Sequence, residues 1–253
     1  MKMNPQIIRS HIDEGGTFYL DILGKSEHME NEQRPHYTMI HPKKGYHGGT
    51  SIYNIQIEHL PEPEALRLVQ EIKSYKEHIF WGMYPSVRLM QYVGEGKPRP
   101  EPLPEPNEEE AGMALLAAEK PEYPRNPNHI TVHKVNNAED FKLWALLCNF
   151  VIHQGYPIIH PELHYPVCQE GILTCFNVYD QGTLAGVSSL LNHNGVFSLE
   201  FVAVSDAFRR RGVATAGVIA AVEDAFAQGA ELITVRSIGK SKYLLPKLGF
   251  RIY

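Results

Sequence analysis

The pattern of apolar and polar positions is sharpest in the second half of the chain. Ile130-Thr131-Val132-His133-Lys134-Val135 alternates with the period of two of a half-buried strand. Asn136 or Asn137 offers a helix cap, and Glu139 and Asp140 suit a first turn. Phe141, Trp144, Ala145, Leu147, Cys148 and Val151 then recur at helical spacing. Leu173–Tyr179 and Thr183–Leu190 read as a hairpin around Asp180-Gln181-Gly182, with a second turn at Asn192-His193-Asn194-Gly195. Phe197–Val204 follows as a strand rich in branched and aromatic residues, broken by Ser205-Asp206. Beyond Gly212 an Ala- and Val-rich helix runs to about Gln228, with Val218, Ile219, Val222, Ala225 and Phe226 toward a sheet and Gly229 as its stop. A strand at Leu232–Val235, a short helix over Leu244–Leu248 and a last strand after Gly249-Phe250 complete the tail.

The first half is less regular. Phe18–Leu23 suits a strand or a short helix, and Tyr37–Ile40 and Ser51–Ile57 suit strands. The Gly-rich loop between those two, His41–Gly49, has no helix after it, so a hairpin loop is favoured over a phosphate loop. Pro61 and Pro63 open a helix carrying Ala65, Leu66, Leu68, Val69, Ile72 and Tyr75. Ile79–Tyr84 reads as a buried strand, Ser86–Val93 as a short helix, and Met113–Ala118 as an apolar strand. Between these last two, Gly94–Pro106 is Pro-rich and charged, which predicts an exposed extended loop; docking through a proline motif is the less favoured reading. Prolines 121, 124 and 127 mark a link to the second half, giving expected domains 1–123 and 124–253.

Bulk properties narrow the partners. The chain has 253 residues, 43% hydrophobic and 21% charged, as a globular protein of one large or two small domains would. No apolar run is long enough for a membrane span, and Met1–Pro5 lacks the apolar core of a signal peptide. Cys148, Cys168 and Cys175 lack metal-type spacing and are odd in number, so packed thiols in a reducing cytoplasm are expected. A net charge of −5 does not favour nucleic acid. His160, Glu162 and His164 could be drawn as a metal trio. They sit in a Pro-broken, loop-like stretch, Gly155–Pro166, with no helix to align them, so no metal is expected.

Candidate chemistry gathers at Arg209-Arg210-Arg211-Gly212-Val213-Ala214-Thr215. A helix that opens after a Gly-containing loop aims unpaired N–H groups at one point, with roughly half a positive charge. That is a site for phosphate or pyrophosphate. Three consecutive arginines alone are more often a solvated corner, so context decides. With the preceding strand, the following helix and strand, and the Lys247-Leu248-Gly249-Phe250 ending, the stretch resembles the GCN5-related N-acetyltransferase (GNAT) superfamily from about Ile130 onward. Arg209, Gly212 and Ala214 fit its pyrophosphate signature of Arg or Gln, two residues, Gly, one residue, then Gly or Ala.

The resemblance implies an α/β (α+β) fold: a mixed, mostly antiparallel central sheet flanked by helices, here with a second, smaller α/β N-terminal domain. The order of elements in the first half resembles a degenerate copy of the same fold, which would shape an acceptor cleft or a homodimer contact. The resemblance implies acetyl-CoA, or another acyl-CoA, as cosubstrate and a small-molecule or peptide amine as acceptor, joined by direct attack in a ternary complex. Residues 210–215 would hold the pyrophosphate on backbone N–H groups, with Arg209, Arg210 and Arg211 adding charge. Val202, Ala203 and Val204 would pair with the pantetheine arm, a backbone N–H near Val204 stabilising the oxyanion. Glu200 is the candidate base, expected to share a face with Val202 and Val204. The family often places a Tyr as general acid where this chain has Leu245, and Tyr243 lies about 200° round the helix from it. That departure keeps a second reading open, a non-catalytic CoA-binding sensor or assembly module. A dinucleotide-binding fold is disfavoured, because no Gly-x-Gly-x-x-Gly turn follows a strand.

Overall fold

Strand pairing in the second half follows the alternating pattern, whereas the chain ends are joined in a way the pattern does not announce. The computed structural model describes all residues except 1–2, 26–27, 46–49, 76–77, 80–86, 93–109, 156–158, 194 and 240. The Pro-rich segment Gly94–Pro106, the expected strand beyond Ile79, and parts of the loops His41–Gly49, Gly155–Pro166 and Asn192–Gly195 lie outside the described residues. Two compact units divide the chain. One takes Gly16–Glu108; the other takes Met1–Gly15 together with Glu109–Tyr253.

Helix α1 (Pro5–Gly24) belongs to both units by sequence. Ile8 and Ile12, four residues apart, are buried. Its central glycines, Gly15 and Gly16, lower helix propensity and hide it from a pattern search. In the Gly16–Glu108 unit, β1 (Met29–Gln33), β2 (Thr38–Pro42), β3 (Ser51–Tyr53) and β4 (His78–Ile79) form one sheet in that order. Its first three strands are antiparallel, so the loop after β2 is a hairpin connection; β4 joins β3 in parallel. β1 is polar and only Met29 on it is buried, as befits an edge strand, which is why alternation missed it. Helix α2 (Glu62–Ser74) buries Leu68 and Ile72 against Tyr37, Met39 and Ile52. Its Ala65 and Val69 pack on Ile57 and on Leu89 of α3 (Val87–Met90).

The larger unit holds a seven-stranded sheet. Its strands are β5 (Glu110–Leu116), β6 (Ile130–Lys134), β7 (Leu173–Asp180), β8 (Thr183–His193), β9 (Val196–Val204), β10 (Leu232–Ile238) and β11 (Arg251–Ile252). The order is β11-β5-β10-β9-β8-β7-β6, antiparallel throughout except between β9 and β10. β5 pairs with β10 from Leu116↔Leu232 to Glu110↔Ile238 and also carries β11. The expected boundary at residue 123 falls between β5 and the rest of its sheet, whereas the compact unit joins Met1–Gly15 to Glu109–Tyr253.

Helices cover both faces. Helix α4 (Ala138–Val151) is capped by Asn137, whose Oδ1 accepts from the Asp140 N–H at 2.9 Å. It docks through Trp144 Nε1 donating to the Ser188 carbonyl at 3.1 Å, and the Asn177 side chain donates to its Asp140 carbonyl at 3.0 Å. Beside it lies α5 (Pro161–Gln169), a helix where a loop was expected. Pro161 suits the first position, and Pro166 forgoes only the bond to the carbonyl of Glu162, at the exposed surface. Leu163, His164 and Val167 provide the buried face. On the opposite face α6 (Val213–Ala227) packs Val218, Val222 and Ala225 against Phe176, Leu190, Phe197 and Leu199. A short helix α7 (Ser241–Leu244) and a 3-10 turn (Leu245–Leu248) lead to Gly249, whose φ of 93° needs glycine.

Candidate active site

The centre of the site is β9, where the sheet comes apart. Its parallel pairing with β10 is confined to Phe197↔Ile233 and Ser198↔Thr234, although both strands run on. On the other side β9 stays with β8, but the register slips. Ser189 faces Glu200, whereas Val187 faces Ala203. Between these pairs Ser188 of β8 thus opposes both Phe201 and Val202 of β9, and Phe201 takes up the excess in a bulge at φ 49°. A bulge bends its strand, which accounts for β9 turning away from β10 where it does.

The slip also decides which way side chains face. Directly paired residues share a face, so Glu200 and Ala203 lie on the face of Ser189 and Val187. Val202 and Val204 pack with the α6 side of the sheet. The expectation that Glu200 shares a face with Val202 and Val204 is therefore corrected: the extra residue at Phe201 inverts the alternation, and Glu200 looks toward the α4 face. The backbone is left well disposed. Ser205 N–H bonds to the Ala185 carbonyl, so alternation turns the amide groups of Val202 and Val204 to the opened edge. There the Val204 carbonyl accepts from Arg209 Nε, at a long 3.4 Å.

Downstream of β9, a 3-10 turn at Asp206–Phe208 brings the chain to the arginines and the start of α6. Arg210 at φ 65° and Gly212 at φ 90° are left-handed, a backbone shape that turns successive N–H groups into a concavity. The N-cap of α6 is Gly212, which has no side chain and so offers no cap to the N–H groups of Val213, Ala214 and Thr215. The loop is open: Arg209, Arg210 and Arg211 are exposed, and Gly212, Ala214 and Thr215 are half-buried. Two of the arginines already have carboxylates. Arg209 pairs with Asp206 at 2.6 Å, and Arg211 Nε pairs with the fully buried Asp180 at 2.9 Å while lying over the Phe208 ring. Arg210 has no ion pair with a described residue. The sequence signals the arginines but not Asp180, which is the last residue of β7 and reads there only as a turn former.

Glycines press the helix start against the sheet. A Cβ on Gly186 of β8 would lie 2.6 Å from Val213 Cγ1 and 2.9 Å from the Ala203 carbonyl oxygen. One on Gly217 would lie 3.0 Å from Val178 Cγ2, and the Gly217 carbonyl accepts from Ser188 Oγ at 2.9 Å.

Glu200 is half-buried at the point where the strands part. Burial raises its carboxyl above the ordinary value, opposed by the charge of Arg236 and by a hydrogen bond from Ser198 Oγ at 2.6 Å. Tyr243 is 67% exposed, and Leu245 is buried in the main core. His164 is buried with Nδ1 2.9 Å from the His160 carbonyl, and desolvation pushes it down to about 4; Glu162 is exposed. All three cysteines are free, and among the described residues no helix is long and apolar enough to cross a membrane.

Comparison with known proteins gives the arrangement a family. The family described as "Acetyltransferase (GNAT) family" matches residues 140–250. No curated protein sequence matches the chain significantly. Among solved structures, a GCN5-related N-acetyltransferase from Kribbella flavida superposes with TM-score 0.63 at 12% identity, covering 95% of this chain and 91% of that one. That likeness shows a shared fold. A GNAT-family protein from Novosphingobium aromaticivorans, described as a putative acetyltransferase, gives 0.42 at 18% identity, covering 61% and 67%. A protein from Clostridium acetobutylicum described as a predicted acetyltransferase with acetyl-CoA gives 0.40 at 14%, covering 48% and 90%. With its parted strands and glycine-led helix, the stretch over residues 140–250 is a domain of the acetyltransferase (GNAT) family.

Proposed function

We propose that the protein transfers an acetyl group from acetyl-CoA to an amine, by direct attack while both are bound. The observation that carries this reading is the early end of the β9–β10 ladder, which leaves the Val202 and Val204 amide groups facing an opening beside an uncapped helix start. A pantetheine arm is a chain of amides and suits such an edge as an added strand. A diphosphate suits the N–H groups of residues 210–215, with Arg210 the arginine least committed to the protein's own acids. Arg209 and Arg211 serve the loop chiefly through their carboxylate partners, which set its shape. The Val204 N–H, at the end of the opened edge, is the donor for the oxyanion of the tetrahedral intermediate.

The acceptor amine must be neutral to attack. A lysine-like amine is about 10⁻³ neutral at pH 7, which costs about 4–5 kcal/mol. Glu200, with its carboxyl raised by burial, lies closer to the working pH than an ordinary glutamate and takes the proton. The leaving thiolate, with a pKa of about 8.5, departs without a donor at position 245, where a buried leucine stands. Three free thiols suit a reducing compartment such as the cytoplasm.

Calorimetric titration with acetyl-CoA, followed by thiol release across polyamines, amino acids, aminoglycosides and peptide N-termini, tests the reading. Binding together with acceptor-dependent release supports it. Absence of binding refutes it. Binding without release from any acceptor favours a CoA-binding module, the reading that Leu245 also suits.

A further inference from the structure

Two neighbours act on the Glu200 carboxylate, and neither belongs to the coenzyme loop. The first is Ser198, two residues earlier on the same face of β9, which donates its hydroxyl to Glu200 Oε1 at 2.6 Å. The second is fixed by register. The last parallel pair joins Ser198 to Thr234, and two residues further along each strand stand Glu200 and Arg236. They share a face and a level, at the point where the ladder has already opened. Across that gap the guanidinium stabilises the carboxylate.

The elements packed against this part of β9 carry polar groups with partners of their own. Helix α1 brings Glu14, bonded to Ser10 and His11 and lying in the field of His193 from β8. β8 brings Ser189, whose hydroxyl donates to the Glu200 backbone carbonyl at 3.0 Å. Helix α4 brings the Trp144 ring, edge-on to Phe201. The room for Ser198 comes from α1 as well: a Cβ on Gly15 would stand 3.1 Å from Ser198 Oγ, so glycine leaves the hydroxyl free to swing onto Glu200.

We propose that Ser198 and Arg236 are positioning residues for Glu200, holding it as a carboxylate at the level where β9 and β10 part; this rests on the reading of Glu200 as the base. Ser198 takes up Oε1, so Oε2 is the oxygen that receives the amine proton and returns it to solvent after turnover. Without either partner burial is less opposed, the carboxyl holds its own proton to higher pH, and a smaller fraction of molecules can accept one from the substrate.

The test follows the Glu200 carboxyl by NMR in protein carrying ¹³C-labelled glutamate, with Glu200→Gln identifying the signal. Ser198→Ala and Arg236→Gln are expected to move the titration midpoint upward, and Ser198→Thr to restore it. For any amine that supports thiol release, the acid limb of kcat/KM moves up in step, about tenfold in rate per unit on its acid side. Acetyl-CoA affinity stays at the wild-type value. If Arg236→Gln does not fold, the Ser198 pair of variants decides. A midpoint unmoved in Ser198→Ala overturns the proposal. So does a moved midpoint with an unmoved rate profile, which takes Glu200 out of proton transfer. Failure to bind acetyl-CoA refutes the acetyltransferase reading separately and leaves the titration result standing.

Discussion

Gly186→Ala places one methyl group where the site has least room. That methyl would meet Val213 Cγ1 at 2.6 Å, about 1 Å inside the 3.5–4.0 Å at which carbon atoms rest. It would also meet the Ala203 carbonyl oxygen at 2.9 Å, and backbone yields less readily than a side chain. Val213 is the first residue of α6 and Ala203 lies on the opened strand, so relief moves either the pyrophosphate loop or the pantetheine edge. Overpacking of this kind costs about 1–3 kcal/mol. In a unit of this size each kcal/mol lowers Tm by roughly 2–4 °C, so a fall of roughly 2–12 °C is expected. Acetyl-CoA binding should weaken beyond what the lost stability explains, measured by calorimetry well below the new Tm. Val213→Ala in the same chain removes the 2.6 Å contact but not the one to the carbonyl. A double-mutant cycle on Tm should therefore show a coupling of about 0.5–3 kcal/mol, with incomplete rescue. A Gly186→Ala protein with wild-type Tm and wild-type acetyl-CoA affinity would refute the claim that this glycine sets the height of the helix start.

Gly212→Ala forces a side chain to φ 90° at the head of α6; a loss of about 1–2 kcal/mol in stability is expected by chemical denaturation, with weaker acetyl-CoA binding. His164 is held neutral to about pH 4 in the folded state but protonates near 6.5 when unfolded, so the unfolded state binds more protons between those values. Stability should fall by about 3 kcal/mol as pH drops from 6.5 to 4; urea titrations should show that slope in the wild type and lose it in His164→Phe. Tyr243→Phe, at an exposed position, should leave thiol release unchanged; a large fall in kcat would make Tyr243 the acid after all.

Much of the site was legible because its elements obey local rules. Asn137 is a cap with acids behind it, Asp180-Gln181-Gly182 is a hairpin turn, and Gly212 precedes a long helix. What stayed hidden is tertiary. Nothing in Leu199–Val204 marks Phe201 as the residue that bulges, yet that bulge sets the face of Glu200. The apolar stretch at Met113 reads as a strand, but local pattern does not assign its sheet, since β5 finds β10 far along the chain. Helix α1 was masked by glycines that serve close approach, Gly15 to Ser198 among them. Asp180 reads as a turn residue, and only the fold shows that it anchors Arg211.

The place of β5 between β10 and β11 matters for anyone who would dissect the protein. A fragment cut at the proline-marked link would leave β10 with a bare border on one flank and β11 with no neighbour to hold. Unsatisfied borders of that sort invite sticking between copies. On the ribosome the same strand emerges about a hundred residues before either of its two companions exists. Its apolar run Met113-Ala114-Leu115 is the stretch most in need of shelter during that interval.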